Sequence, residues 1–329
     1  MSELLEVDDL VVRYRLGRNQ ELTAVHGATI RLSHGQALGL VGESGCGKSS
    51  LAKAVAGVVT PTHGTIRVRG NELTSPRSKR DARSVQMVFQ DPSSALNPAL
   101  KIGKMLEELL LVHALSPNRR AARARAVELL SSVGLPADVL NVRPRALSGG
   151  QRQRVGIARA LALEPDVLIA DEAVAALDSV VKKAVIELID DLCRRLDIGV
   201  IFVSHDLAAV RRLCDETIVM YLGEVVEQRS TLDLFQAPAH PYSAALLAAQ
   251  PNVHERLDLS LAPALSGDPS SPIDRPPGCT FAPRCPRATS KCTQESPPPY
   301  AVADGGIVRC HFPLVTTTDH TYDREPTGA

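Results

Sequence analysis

Residues 42–50 read Gly-Glu-Ser-Gly-Cys-Gly-Lys-Ser-Ser and follow directly on the apolar run Ala37–Val41. A strand that runs into three closely spaced glycines and then Lys-Ser predicts a phosphate-cradling loop. The glycines let the backbone curl so that successive N–H groups point at one anion. The segment from Ser49 to Val58 reads as the helix that must follow, with its positive end aimed at the same anion. About a hundred residues later, Leu147–Gln151 read Leu-Ser-Gly-Gly-Gln. A loop of this kind requires a strand–loop–helix unit, and a strand–loop–helix unit implies a parallel sheet.

Alternation along the chain agrees. Residues 4–16 carry Leu4, Val7, Leu10, Val12 and Tyr14 among polar residues, the period of a half-buried strand. Short apolar runs recur at residues 85–89, Val167–Ala170 and Val200–Val203, and a helix is expected over residues 180–196 between the last two. Such runs fit strands buried on both faces. Between about residues 100 and 140, Leu106, Leu109, Leu110, Val127, Leu129, Leu130 and Val133 recur at helical spacing, which marks a helical insert. The fold class expected is α/β, a parallel core sheet with helices on its faces and a helical insert.

The whole chain has 329 residues, 44% of them hydrophobic, enough for one large domain and an appendage. Its 37 basic and 37 acidic side chains give a formal net charge of zero, and aromatics are 3% with no Trp. A nucleic-acid partner usually brings a basic excess or stacking aromatics, so none is expected. No apolar run reaches the 18 or so residues of a membrane span. The acidic start, Met-Ser-Glu-Leu-Leu-Glu-Val, has no signal-peptide pattern, so a cytoplasmic location is expected. There the seven cysteines would stay reduced.

Within the loop, Gly42, Glu43, Ser44, Gly45, Cys46, Gly47, Lys48, Ser49 and Ser50 are the candidate nucleotide-binding residues. Lys48 should reach the β- and γ-phosphates, and Ser49 should bind Mg²⁺. The run Val167–Ala170 ends in Asp171 and Glu172. Carboxylates at the C-terminal end of a buried strand lie where open α/β sheets bind ligands. Asp171 should serve the metal, and Glu172 should orient the attacking water.

At this point the chain resembles the nucleotide-binding subunits of ABC transporters, from residue 4 to about 230. The resemblance implies an α/β fold of phosphate-loop type, its parallel core sheet joined by an antiparallel β-subdomain and an α-helical subdomain, and it implies ATP as substrate, with Mg²⁺. It implies that Gln90 is the glutamine that senses the metal, that His205 touches the γ-phosphate, and that Tyr14 stacks on adenine. Ala176-Leu177-Asp178 matches the segment that follows the catalytic carboxylate. It further implies two such subunits closing head to tail, so that Ser148, Gly149, Gly150 and Gln151 of one cover the phosphate loop of the other. The partner could be the same chain or a paralogue. One departure stands out: Ala173 and Ala175 occupy places where the family usually has Pro and Ser or Thr.

Beyond residue 235 the texture changes to Pro, Ser and Ala. Cys279, Cys285, Cys292 and Cys310 follow C-x5-C-x6-C-x17-C among prolines. Four thiols in a reducing compartment suggest a metal, but the spacing matches neither common zinc sites nor ferredoxin runs. The segment Cys-Thr-Phe-Ala-Pro-Arg-Cys-Pro resembles the C-terminal extension of oligopeptide and dipeptide importer ATPases. So do His240–Leu247, the run from Met87 to Pro92 and the run from Ser94 to Pro98. That resemblance implies a [4Fe–4S] cluster, with zinc or plain thiols as alternatives. The partners it implies are two membrane-spanning permease subunits, a second ATPase subunit and, indirectly, an extracytoplasmic binding protein, with the chain peripheral on the cytoplasmic face of the membrane.

The expected division is an ATPase domain over 1–235 with its helical part at about 91–150, an extension over 236–315 and a disordered tail over 316–329. Because the cysteines lie far in sequence from Glu172 and His205, they are expected to serve structure or docking, and Cys285→Ser is expected to destabilise residues 270–312 while nucleotide binding survives. Cys46 is expected to be open to alkylation. Alternatives are an ATPase for nickel or another small solute, an ABC ATPase outside transport, or a regulatory nucleotide binder. Glu172 and His205 are both present, which argues against the last. The cargo is not written in this chain.

Overall fold

The computed structural model describes residues 3–17, 20–74, 76–91, 96–249, 271–303 and 305–315. Of the segments named above, the tail 316–329 lies outside the described residues, as do residues 250–270 and 304 of the expected extension, Pro92, Ser94 and Ala95.

Two sheets organise the chain. The smaller joins β1 (Leu5–Arg15), β2 (Glu21–Leu32), β4 (His63–Val68) and β5 (Asn71–Glu72) in the order β2-β1-β4-β5, all antiparallel. β1 buries Leu5, Val7, Leu10 and Val12. Several register shifts interrupt its pairing with β2, so the side-chain alternation is not strict.

The larger sheet has the order β11-β12-β10-β9-β3-β8-β7-β6. Its core strands are β3 (Ala37–Val41), β6 (Val85–Val88), β7 (Val167–Asp171), β8 (Gly199–Val203) and β9 (Glu216–Tyr221). These pair in parallel, β6 with β7, β7 with β8, β8 with β3 and β3 with β9. Every residue of β3, β7 and β8 is buried, which is why they read as unbroken apolar runs rather than as alternations. β10 (Glu224–Ser230) then turns back antiparallel to β9.

The helical insert is made of Ile102–Val112 and Arg119–Ser132, followed by two short 3₁₀ turns and the helix Gly149–Leu161. Leu106, Leu110, Ala122, Ala126, Leu129 and Leu130 bury one side of this layer into the same apolar core as Leu168, Val200 and Phe202. Val127, a residue used in the helical-spacing argument, is instead among the exposed hydrophobics.

The extension does more than form an irregular loop. β11 (Tyr300–Ala301) and β12 (Ile307–Val308) continue the large sheet past β10. Phe281 and Tyr242 sit fully buried beside Tyr221 of β9, with ring centroids 4.6–5.4 Å apart. No helix among the described residues is long and apolar enough to cross a membrane.

Candidate functional site: the phosphate loop and its surroundings

Parallel pairing of β3, β8, β7 and β6 brings their carboxyl ends to one edge. From β3 comes the loop 42–49, and from β8 come Ser204 and His205. From β7 come Asp171 and Glu172, and from β6 comes Gln90. The loop leads into the helix Lys48–Val55, whose first N–H groups carry no side-chain cap. That leaves them to an anion.

Two glycines are required for the path of the loop. Gly42 has φ +146, and a Cβ there would lie 2.2 Å from the Met220 carbonyl oxygen. Gly47 has φ +105, and a Cβ there would lie 2.2 Å from the Ala24 carbonyl oxygen. Lys48 is only 6% exposed, and its Nζ donates to the carbonyl oxygens of Gly42 and Glu43, each at 2.8 Å. The ammonium is thus held inside the loop curl, where phosphate oxygens would meet it.

The loop and the carboxylate strand touch. Ser49 Oγ donates to Asp171 Oδ1 at 3.1 Å. Burial pushes the Asp171 carboxyl above the usual carboxylate range, against the Ser49 hydrogen bond and the positive charge of Lys53 and Lys48. A divalent cation between Ser49 and Asp171 would relieve that penalty. Glu172 takes a left-handed backbone conformation, φ +48, unusual for a residue with a side chain. Its N–H donates to the Val203 carbonyl at 2.9 Å, tying it to the end of β8. His205 Nδ1 lies 3.5 Å from Glu172 Oε1. The neighbouring Ala173 is 2% exposed, packed in the turn that leads to Asp178. Asp178 caps the helix Ser179–Leu196 by accepting from the N–H groups of Val180 and Val181.

A cleft of about 200 Å³, open to solvent, runs over the loop. Of the sequence-derived candidates, Tyr14, Ser44, Gly45, Gly47, Lys48, Ser49, Ser50 and Glu172 line it, with Thr23, Ala24 and Gly223 from the β-subdomain side and the β9–β10 turn. Tyr14 both lines the cleft and packs against the core, and its hydroxyl lies 3.2 Å from Ser50 Oγ. Gly42, Glu43 and Cys46 support the loop and do not line the cleft. Burial pushes the Cys46 thiol up, and the residue is 3% exposed. The expectation that Cys46 is open to alkylation is therefore corrected.

Gln90, exposed just past β6, and Ser148, Gly149, Gly150 and Gln151 do not line the cleft. Ser148 and Gly149 are exposed at the start of the helix Gly149–Leu161. Ser148 Oγ accepts from the Gln151 N–H, and Gln151 Oε1 accepts from the Ser148 N–H, a reciprocal cap.

Cys279, Cys285, Cys292 and Cys310 come together around one narrow recess, closed by Phe281, Phe312, His240 and His311. Burial pushes the Cys279 thiol up to about 11 and the Cys310 thiol up to about 12, and it raises Cys285 as well. Backbone N–H groups of Phe281, Phe312 and Arg287 act the other way on these three sulfurs, and the neighbouring cysteines raise each other. Among the described residues, no group of three or more His, Cys, Asp or Glu side chains is arranged to hold a metal ion. The four cysteines named for a cluster do share one recess.

One connection was not foreseen. Arg284, in the segment between Cys279 and Cys285, forms a two-pronged ion pair with Glu43 of the phosphate loop. The extension is thus not remote from the nucleotide site. Distance along the chain misled, because the residues after 235 fold back past β9.

Comparison with known proteins agrees with this geometry. Residues 25–175 match the family described as ABC transporter, and residues 226–292 match the oligopeptide/dipeptide transporter C-terminal region. The chain is 41% identical over 295 residues to the dipeptide transport ATP-binding protein DppF of Haemophilus influenzae, covering 88% of this chain and 89% of that protein. It is 40% identical over 309 residues to the oligopeptide transport ATP-binding protein OppF of Escherichia coli, covering 89% and 92%. Among solved structures it is similar to the dimeric post-hydrolysis state of the ATP-binding cassette MJ0796 bound to ADP and Pi. There the TM-score is 0.62 at 27% identity, over 69% of this chain and 98% of that one. A phosphate loop facing a strand-end Asp-Glu pair, the exposed Leu-Ser-Gly-Gly-Gln start of the helix Gly149–Leu161 and a matched C-terminal region all agree: the chain belongs to the ATP-binding subunits of ABC transporters, in their oligopeptide and dipeptide branch.

Proposed function

We propose that this chain hydrolyses ATP to energise an ABC importer of peptides. It would sit peripherally on the cytoplasmic face of the membrane, against two membrane-spanning permease subunits and beside a second ATPase subunit, with an extracytoplasmic binding protein delivering cargo. The match of residues 226–292 to the oligopeptide/dipeptide transporter C-terminal region carries this reading. The phosphate-loop half alone would fit any ABC ATPase.

In this reading the ATPase domain spans about 1–235, with its helical part at about 91–150, and the extension follows over 236–315. Lys48 and the loop N–H groups bind the phosphates, and Tyr14 meets the adenine. Ser49, Asp171 and Gln90 would hold Mg²⁺, which would supply positive charge to offset that of the phosphates. Glu172 accepts a hydrogen bond from the attacking water and aims it, and His205, whose Nδ1 lies 3.5 Å from that carboxylate, touches the γ-phosphate. Ser148, Gly149, Gly150 and Gln151 point at no phosphate of their own chain. They serve the partner's site, so hydrolysis needs a dimer. The test is purification from solubilised membranes with mass spectrometry of what comes along. Two permease subunits and a peptide-binding protein support the reading, and partners that handle nickel or another solute contradict it.

We also propose that Cys279, Cys285, Cys292 and Cys310 hold a [4Fe–4S] cluster. Two observations favour it. Four thiols line one recess, and three of them receive backbone N–H groups, which stabilise thiolate sulfur. Zinc is the weaker candidate, because the spacing C-x5-C-x6-C-x17-C is unlike that of common zinc sites. Anaerobically purified protein should be brown, with about four irons per chain, and Cys285→Ser should bleach it. Zinc without iron, or no metal, contradicts the assignment.

A further inference from the structure

We propose that the cysteine-rich extension clamps the phosphate loop through Arg284 and Tyr242, and that this clamp sets nucleotide affinity. It rests on the loop binding ATP. It does not depend on the cargo, nor on what the four thiols hold.

The contacts converge on one loop residue, Glu43. Arg284 Nη1 donates to Glu43 Oε2 at 2.7 Å and Nη2 to Oε1 at 3.0 Å. This is the two-pronged geometry that fixes both distance and orientation. The Arg284 side chain is 6% exposed, so the pair is little screened by solvent. Its guanidinium also donates to the Tyr221 hydroxyl at 3.3 Å and stands 5.8 Å over that ring. The Glu43 backbone is held separately: its N–H donates to the Tyr242 hydroxyl at 2.8 Å. Tyr242 belongs to the helix Pro241–Ala248, and its ring packs against Tyr221 and Phe281. Side chain and main chain of Glu43 are therefore both gripped by residues beyond 235.

Two effects follow, and both have the same sign. Glu43 lies within the glycine loop, between Gly42 and Gly45, and Lys48 Nζ donates to its carbonyl oxygen. A loop held at Glu43 has its phosphate-facing N–H groups already in place. A loop released there must be ordered when nucleotide binds, which weakens binding. Glu43 is also an acidic group at the edge of a phosphate site. Arg284 neutralises it, and without that partner its charge repels the incoming phosphates. Arg284 is accordingly a positioning residue, acting on nucleotide through Glu43.

The experiment is a double-mutant cycle on the full chain, reading MgATP affinity by titration calorimetry. The variants are Arg284→Gln, Glu43→Gln and the pair, with Arg284→Lys and Tyr242→Phe alongside. Arg284→Gln is expected to weaken MgATP binding roughly tenfold, the loss of one charge-assisted contact. Glu43→Gln should weaken it less, since it frees the loop without leaving a naked charge. The pair should be no worse than Arg284→Gln alone, Arg284→Lys should recover part of the loss, and Tyr242→Phe should weaken binding by itself. Protease resistance of the extension reports folding, and Glu43→Gln leaves the extension's own sequence untouched. Wild-type affinity in Arg284→Gln, or fully additive losses in the pair, overturns the proposal. If the wild-type chain itself binds no MgATP, the nucleotide assignment has failed instead.

Discussion

At the level of single residues, the reading turns on Glu172. It stands at the end of a fully buried strand, in a left-handed backbone conformation, with His205 at 3.5 Å and the cleft in front of it. Asp171 is engaged with Ser49, which leaves Glu172 as the carboxylate that faces the cleft. Replacing Glu172 with Gln keeps the shape and removes the charge. Steady-state hydrolysis should fall by at least about a hundredfold, the scale seen when one preorganised electrostatic group is lost. MgATP affinity should hold. Undiminished turnover in a phosphate-release assay would move the role elsewhere. The loop glycines, Lys48, Asp171 and Glu172 were legible in the sequence, because phosphate chemistry needs those residue types at that spacing. Arg284 was not. An arginine beside a cysteine carries no spacing signal toward a glutamate some 240 residues earlier, and only the fold joins them.

Among the elements, the short parallel strands were the most readable. β3, β7 and β8 are buried on both faces and so appear as unbroken apolar runs. β11 and β12, two residues each, were invisible. Strands that short carry no periodicity, and they form only because β10 offers an edge. The helix Gly149–Leu161 is the element whose start carries function. Its cap leaves Ser148 exposed and outside its own chain's cleft. Ser148→Arg should abolish MgATP-driven dimerisation in a Glu172→Gln background, as read by size-exclusion chromatography with light scattering. Ser148→Ala serves as control. It loses the cap, worth about 1 kcal/mol, without adding bulk, and should still dimerise. A dimer formed by the arginine variant would contradict completion of the site by a partner.

For the molecule as a whole, the extension and the ATPase core share one sheet and one aromatic cluster, and the contact at Glu43 joins the two at the nucleotide site. An appended segment that merely docked would have no reason to grip the phosphate loop. This joins the part of the chain that matches peptide transporters to the phosphate loop, and the proposed function, ATP hydrolysis spent on peptide import, draws on both. Uptake of a labelled dipeptide and a labelled oligopeptide, measured in cells from which this chain is deleted, tests that claim most directly. Deletion should abolish uptake of at least one of them, the wild-type chain should restore it, and the Glu172→Gln chain, present at equal level, should not. Unchanged uptake of both peptides on deletion, or full restoration by Glu172→Gln, would contradict the account.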